Sequence, residues 1–287
     1  MLRSVKKGGS KMDEIEFYLK DLSSRFPRNK KDYYLSYSGG KDSHFLYWFI
    51  NEYLKDNEIE IVSCNTYMEH PQIRERIYKY ADIILTPELK PFEIKEKYGS
   101  PCFSKFQDEI IKRYQNGSRS KNTMDAITRE GRVSFKLNKT ARELLLSDKL
   151  HKISPYCCRE LKKKPLKKYE KESGRKAILG VRSSEGVLRK SSYNSCFTKD
   201  GKFTPLYDLS DELLNDIYVK YGIEIPEIYE YIDRTGCMGC PYGSFKGKTE
   251  KELDLLNDNQ RKFVVDYFRE SYDVLGIDYS NKQLKLF

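Results

Sequence analysis

Two groups of residues in this sequence could do chemistry. The first is Ser38-Gly39-Gly40-Lys41-Asp42-Ser43, directly after the apolar run Tyr33–Tyr37. Two adjacent glycines let a backbone turn tightly and bring its N–H groups up to an anion. A helix starting behind them adds its positive N-terminal end. Ser38 and Ser43 offer hydroxyls and Lys41 a cation for a leaving phosphate. Asp42 offers a helix cap or a ligand to Mg²⁺. The longer Walker spacing is absent. The second group is Cys157-Cys158 with Cys237 and Cys240 in Cys-Met-Gly-Cys. Four thiolates in two close pairs can ligate Zn²⁺ or an iron–sulfur cluster. Zinc ribbons use two Cys-x₂-Cys knuckles, which an adjacent pair fits poorly. One of Cys157 and Cys158 could instead fill the core. Cys64, Cys102 and Cys196 have no partner spacing.

The elements that must position these residues follow from periodicity. Residues 12–25 carry apolar side chains at helical spacing, closed by Pro27. Tyr33–Tyr37 reads as a strand, His44–Leu54 as a helix, Glu58–Cys64 as a strand, His70–Tyr80 as a helix and Ile83–Leu85 as a strand. Ala177–Val181 adds a further buried strand. This βαβαβ order predicts an α/β fold with a doubly wound parallel sheet. Ligands bind such sheets outside the carboxyl ends of their strands, where the Ser38 loop falls. Residues 91–150 read as a helical, basic insertion or lid, and residues 158–172, 209–221 and 250–275 as helices. The division predicted is a helical extension over 1–30, a nucleotide-binding α/β domain over 31–200 and a helical region over 201–287 carrying the Cys-x-x-Cys loop.

The bulk properties agree with a folded, soluble chain. It has 287 residues, 38% hydrophobic and 33% charged. No apolar run is long enough to span a membrane, and residues 1–11 lack the apolar stretch of a secretory signal. The expected location is cytoplasmic. Seven cysteines in a reducing compartment argue against a disulfide framework. The net charge of +10 favours an anionic partner, nucleic acid included. Abundant Lys, Tyr, Asn and Ile can also arise from genome composition. Lys162–Lys168 is the densest basic run and otherwise reads as a solvated helix face.

Ser38 to Ser43 resembles the PP-loop of the adenine-nucleotide α-hydrolase class. Cys157-Cys158 with the distant Cys237-x-x-Cys240 resembles the [4Fe-4S] motif of assimilatory APS reductases and, less closely, of DNA phosphorothioation enzymes. Asn65–Pro71, the Gly-x-Arg-x-x-Glu loop within Lys176–Arg189, Thr204–Asp208 and Arg234–Cys240 resemble further segments of the phosphoadenosine phosphosulfate (PAPS) reductase family. Together they span roughly residues 30–245.

The resemblance implies a Rossmann-like PP-loop fold that binds ATP, or APS or PAPS, with Mg²⁺. It places Ser38, Gly39, Gly40, Lys41, Asp42, Ser43, Thr66, Glu69, Gly180, Arg182, Glu185 and Arg189 at the nucleotide. Lys41, Asp42 and Arg182 would be catalytic, and Cys157, Cys158, Cys237 and Cys240 would hold the cluster. Two departures shift the expected chemistry from sulfonucleotide reduction toward ATP. No cysteine follows Cys240, where reductases carry their nucleophile, and the phosphate loop is complete, where reductases tend to degrade it. The expected activity is adenylation with pyrophosphate release, linked to sulfur transfer onto tRNA or DNA. A cysteine desulfurase would donate the sulfur. The alternatives are an APS or PAPS reductase served by Cys196 or thioredoxin, and a non-catalytic iron–sulfur module that binds nucleic acid or senses redox state.

Overall fold

The computed structural model describes residues 11–130, 136–183 and 195–280. Helix α1 (Lys11–Arg25) leads into β1 (Tyr33–Ser36), α2 (Lys41–Trp48), β2 (Glu60–Cys64), α3 (Pro71–Tyr80) and β3 (Ile83–Leu85). After a helical stretch, β4 (Lys176–Ile178) returns to the sheet. The order is β3-β2-β1-β4, and β1 pairs parallel with both neighbours, Tyr34 opposite Glu60 and Ala177. The predicted α/β class and parallel sheet are what the chain forms. Tyr34 and Leu35 are both fully buried, so β1 is covered on both faces, as a central parallel strand requires.

The strand order reverses between β1 and β4. The crevice at such a switch is where ligands enter open α/β sheets. The Ser38 loop follows β1, and Leu179-Gly180 follows β4, so both lie at the carboxyl ends that flank the switch.

The chain forms two compact units, and neither is continuous. The sheet-bearing unit comprises Met1–Ser63, Gln72–Leu85 and Lys168–Glu227; the helical unit comprises Cys64–Pro71, Thr86–Lys167 and Ile228–Phe287. This differs from the consecutive division read from the sequence. Residues after 200 return to the sheet because α9 (Asp211–Tyr221) packs beside α1, with Lys220 bonded to Glu16 at 2.7 Å. Residues 64–71 leave the sheet because their backbone pairs elsewhere: Met238 N–H donates to Met68 O at 2.8 Å.

In the helical unit, α4 (Pro91–Tyr98), α5 (Lys105–Gln115), α6 (Lys121–Thr128) and α7 (Lys139–Leu146) occupy the stretch read from the sequence as a helical insertion. A π turn (Arg159–Lys163) precedes α8 (Lys164–Ser173). Short α10 (Ile228–Tyr231), α11 (Lys248–Asp254) and long α12 (Asp258–Leu275) complete it. Asp108 is fully buried and accepts from Cys102 N, Phe103 N and the Tyr242 hydroxyl, while burial pushes its carboxyl up to about 6. No helix of the described residues is long and apolar enough to cross a membrane.

All three histidines are held below their ordinary value, burial being the first cause in each. His44, whose Nδ1 lies 2.9 Å from the Tyr37 hydroxyl, falls to about 3. Between pH about 6.5 and about 3 the unfolded chain therefore binds a proton at His44 that the fold refuses. Stability falls as pH drops through that window. From pH 7.5 to 5.5 the contribution of His44 is about 1.4 kcal/mol. Urea unfolding of His44→Gln at the two pH values is expected to show a loss smaller by about that amount than in wild type. An identical loss would mean that His44 charges freely in the fold.

Candidate functional site

The Ser38–Ser43 loop is built around two close approaches and a helix N-cap. At Gly39 φ is +73°, and a β-carbon there would sit 2.8 Å from Ile73 O and 2.9 Å from Ile73 Cγ2. The loop thus lies flat on α3, which only glycine permits. Gly40 is the N-cap of α2 in extended geometry, and no side chain caps that helix end. Gly180, arriving from β4, comes so near that its β-carbon would meet Ser43 N at 2.9 Å and Asp42 C at 3.0 Å. Gly180 is therefore a packing glycine that admits the second chain to the switch point.

Ser43 is turned inward. Its Oγ accepts from Ser38 N at 3.2 Å, donates to Gly40 O at 3.0 Å and lies 3.0 Å from Ser38 Oγ. It braces the loop, whereas Ser38 is exposed. Arg182 is 2% exposed. Its Nε stands 2.7 Å from Asp42 Oδ1 and its Nη2 2.7 Å from Asp211 Oδ1. The first contact is an ion pair without hydrogen-bond alignment, and Nη1 has no hydrogen-bond partner among the described residues. A buried guanidinium with donors to spare, beside a helix end that lacks a side-chain cap, is an anion receptor in the making. Asp42 is thereby committed to Arg182, which leaves it poorly suited to hold Mg²⁺. Glu185 and Arg189 lie outside the described residues.

Thr66 and Glu69 belong to the helical unit. Glu69 Oε1 accepts from Thr66 N at 2.9 Å and from the Thr66 hydroxyl, while Oε2 has no hydrogen-bond partner. Glu69 pairs in an isolated antiparallel bridge with Cys237. The structure thus ties this predicted nucleotide segment to the cysteine loop.

All four expected cysteines come together in the helical unit. Cys157 is buried among Leu161, Met238 and Tyr267, with Cys158 and Cys237 packed against the same cluster. The Cys-x-x-Cys turn closes through Cys240 N to Cys237 O at 3.3 Å, and is pinned by Thr249 Oγ1 on Cys240 O and the Tyr272 hydroxyl on Gly239 O. The Cys157 thiol bonds to Cys158, which pushes Cys157 up and lowers Cys158 to about 5, with Lys105, Lys162 and Lys163 adding to the fall. Burial pushes Cys237 and Cys240 up. Lys162 is held up first by Cys237, then by Cys158, Glu69 and Cys240. Tyr267 is raised by burial and by all four thiols.

Among the described residues, no group of three or more His, Cys, Asp or Glu side chains is placed to hold a metal ion. Four thiolates on one tetrahedral ion must approach one another to about 3.8 Å, given Zn–S bonds of about 2.3 Å. In a cluster each thiolate takes its own iron and the sulfurs stand wider apart. Cys158, Cys237 and Cys240 all act on Lys162 and Cys157 bonds to Cys158, so the chemistry of the donor set is that of cluster ligands, whose net negative charge a buried lysine would answer.

Sequence reasoning placed Lys162 in a surface basic run. Its spacing of four from Cys158 was the available signal, since i and i+4 share a helical face. Asp211, Tyr218 and Arg76, which also reach the phosphate loop, were missed. Cys64 and Cys102 are buried, and burial pushes Cys64 up to about 12 and Cys102 higher still, so neither is a thiolate. Two surface hollows of about 480 Å³ in the helical unit, one beside Phe92 and Glu270, the other beside Tyr114 and Arg119, are lined by none of these residues.

A crystal structure of phosphoadenylyl-sulfate (PAPS) reductase from Candida auris, a phosphate complex, is similar over 75% of this chain and 83% of that one, at 14% identity and a TM-score of 0.40. No protein-family model and no curated protein matches the chain. The α/β class rests on the strand pairing of the chain itself.

Two outcomes check the site. Gly180→Ala is expected to weaken pyrophosphate binding at least about tenfold, with a stability loss of about 1–3 kcal/mol from overpacking; binding equal to wild type would mean the loop can retreat. Anaerobically purified protein is expected to be brown with about four irons per chain, and Cys237→Ser to lose them. A colourless protein with one zinc would overturn the expectation of a cluster.

Proposed function

We propose that the chain is a PP-loop enzyme that binds an adenine nucleotide, ATP in preference to APS or PAPS, and links adenylation to sulfur transfer. The observation that carries this reading is Arg182: a buried guanidinium with an unpartnered nitrogen, at the switch point, beside the N-terminus of α2.

In this reading the pyrophosphate of ATP lies on the Ser38–Ser43 loop. An oxygen of the acceptor attacks the α-phosphorus, the bond to the bridging oxygen breaks, and pyrophosphate leaves. Charge developing on the phosphates falls to the α2 amides, Lys41 and Arg182, which are preorganised and need no rearrangement. Mg²⁺ would ride on the phosphates, since Asp42 anchors Arg182. The terminal sulfur of a persulfide supplied by a cysteine desulfurase then attacks the activated acceptor and displaces AMP, and an external thiol cleaves the resulting disulfide, leaving the sulfur on the acceptor. Cys157, Cys158, Cys237 and Cys240 would hold a [4Fe-4S] cluster, one thiolate to each iron, which would supply a polarisable, electron-carrying group. A nucleic-acid acceptor, tRNA or DNA, is supported by the net charge of +10 and by the exposed Lys163, Lys164, Lys167, Lys168 and Lys171.

Sulfonucleotide reduction is the competing reading. It needs an attacking thiolate besides the four ligands. Buried Cys64 and Cys102 do not supply one, which leaves Cys196 or an external thiol such as thioredoxin.

Pyrophosphate release from ATP, measured with candidate acceptors, decides between them. Release is expected to be acceptor-stimulated and to fall at least about a hundredfold in Lys41→Ala. If no acceptor stimulates release and Lys41→Ala matches wild type, the proposal fails. Sulfite released from APS with thioredoxin would favour reduction. Tight, salt-sensitive nucleic-acid binding without ATP consumption would favour a binding module.

A further inference from the structure

The phosphate loop is held from behind at two of its carbonyls. Arg76, 6% exposed on α3, donates through Nη1 to Gly39 O at 3.4 Å and through Nη2 to Glu224 O at 3.0 Å. Tyr218, buried on α9, donates its hydroxyl to Lys41 O at 2.7 Å. Asp211, seven residues earlier and so two turns along the same face of α9, holds Arg182, which holds Asp42.

A trans peptide is planar, and its C=O and N–H point in opposite directions. Fixing the carbonyl of Gly39 therefore fixes the N–H of Gly40, and fixing the carbonyl of Lys41 fixes the N–H of Asp42. Donors that pull these oxygens backward turn both amides forward, to the side from which an anion arrives. A donor on the carbonyl also polarises the peptide and strengthens its N–H, the more so when that donor is a buried guanidinium. Neither Arg76 nor Tyr218 needs to touch the ligand for this.

We propose that Tyr218 and Arg76 are positioning residues for polyphosphate: they hold the two loop peptides with their N–H groups presented to the β,γ-phosphates of the nucleotide. The inference rests on the nucleotide reading above and extends it to residues outside the loop. It assigns α3 and α9 the task of setting the loop, and it separates binding of the pyrophosphate from binding of the nucleoside monophosphate.

The test is calorimetric titration of the full-length wild type, Tyr218→Phe and Arg76→Met with pyrophosphate, ATP and AMP, beside their thermal midpoints. Tyr218→Phe removes one oxygen and leaves the ring in place, so it keeps the test valid where Arg76→Met fails to fold. The expected result is a loss of about tenfold for pyrophosphate and ATP in each variant, with AMP within about twofold of wild type. Two results would overturn the inference: pyrophosphate and ATP binding in Tyr218→Phe within about twofold of wild type, or AMP weakened by the same factor as pyrophosphate, which is what general loosening would do. A wild type that binds neither pyrophosphate nor ATP would bring down the nucleotide reading together with this inference; a wild type that binds both beside unchanged variants would bring down the inference alone.

Discussion

One steric constraint governs the sheet-bearing unit. Two backbones meet at the switch point with no space for a β-carbon between Gly180 and the first turn of α2. That contact sets where β4 ends, brings Arg182 to Asp42, and leaves the guanidinium buried at the mouth of the crevice. Ser43 must then turn inward, because its amide is where the second chain arrives. Gly39 must take a left-handed φ, because α3 closes the loop from the other side.

Electrostatics works in opposite senses in the two units. In the sheet-bearing unit the buried charge is a cation balanced by Asp42 and the exposed Asp211, and its Nη1 has no hydrogen-bond partner among the described residues. Losing one partner of such a pair is costly, about 3–5 kcal/mol, because the other charge is left stranded. In the helical unit Cys158, Cys237, Cys240 and Glu69 all act on Lys162, so the cation there answers negative charge carried by the protein itself. One unit buries a cation between carboxylates, and the other buries a cation among thiols and a carboxylate.

Much of this was legible in the sequence. The strand-loop-helix at Ser38 showed itself because an apolar run, two glycines and a helix pattern fall in a row, and each carries local information. The four cysteines were legible as two spaced pairs. What local pattern could not carry was which partner each group would meet. Glu69 looks like a ligand residue by its place after β2, yet its carboxylate serves Thr66 and its backbone pairs with Cys237. Lys162 looks like solvated charge in a run of lysines until the turn at Arg159–Lys163 carries it to the thiols. Tyr218 sits on an amphipathic helix whose apolar face is obvious, but the target of its hydroxyl, Lys41 O, lies 177 residues upstream. Contacts of that separation are set by topology, which residue type and period do not record.

The interleaving of the two units bears on how the chain acquires its structure. The polypeptide passes between them at residues 63–64, 71–72, 85–86, 167–168 and 227–228. On a ribosome, β1, α2, β2 and β3 emerge early, but the strand that completes the centre of the sheet waits for residue 176 and its supporting helix for residue 221. Such long-range closure is slow and leaves strand edges uncovered meanwhile. The early sheet would be an aggregation hazard until its late partners arrive, and a fragment ending near residue 170, short of β4, would stay in that hazardous state for good.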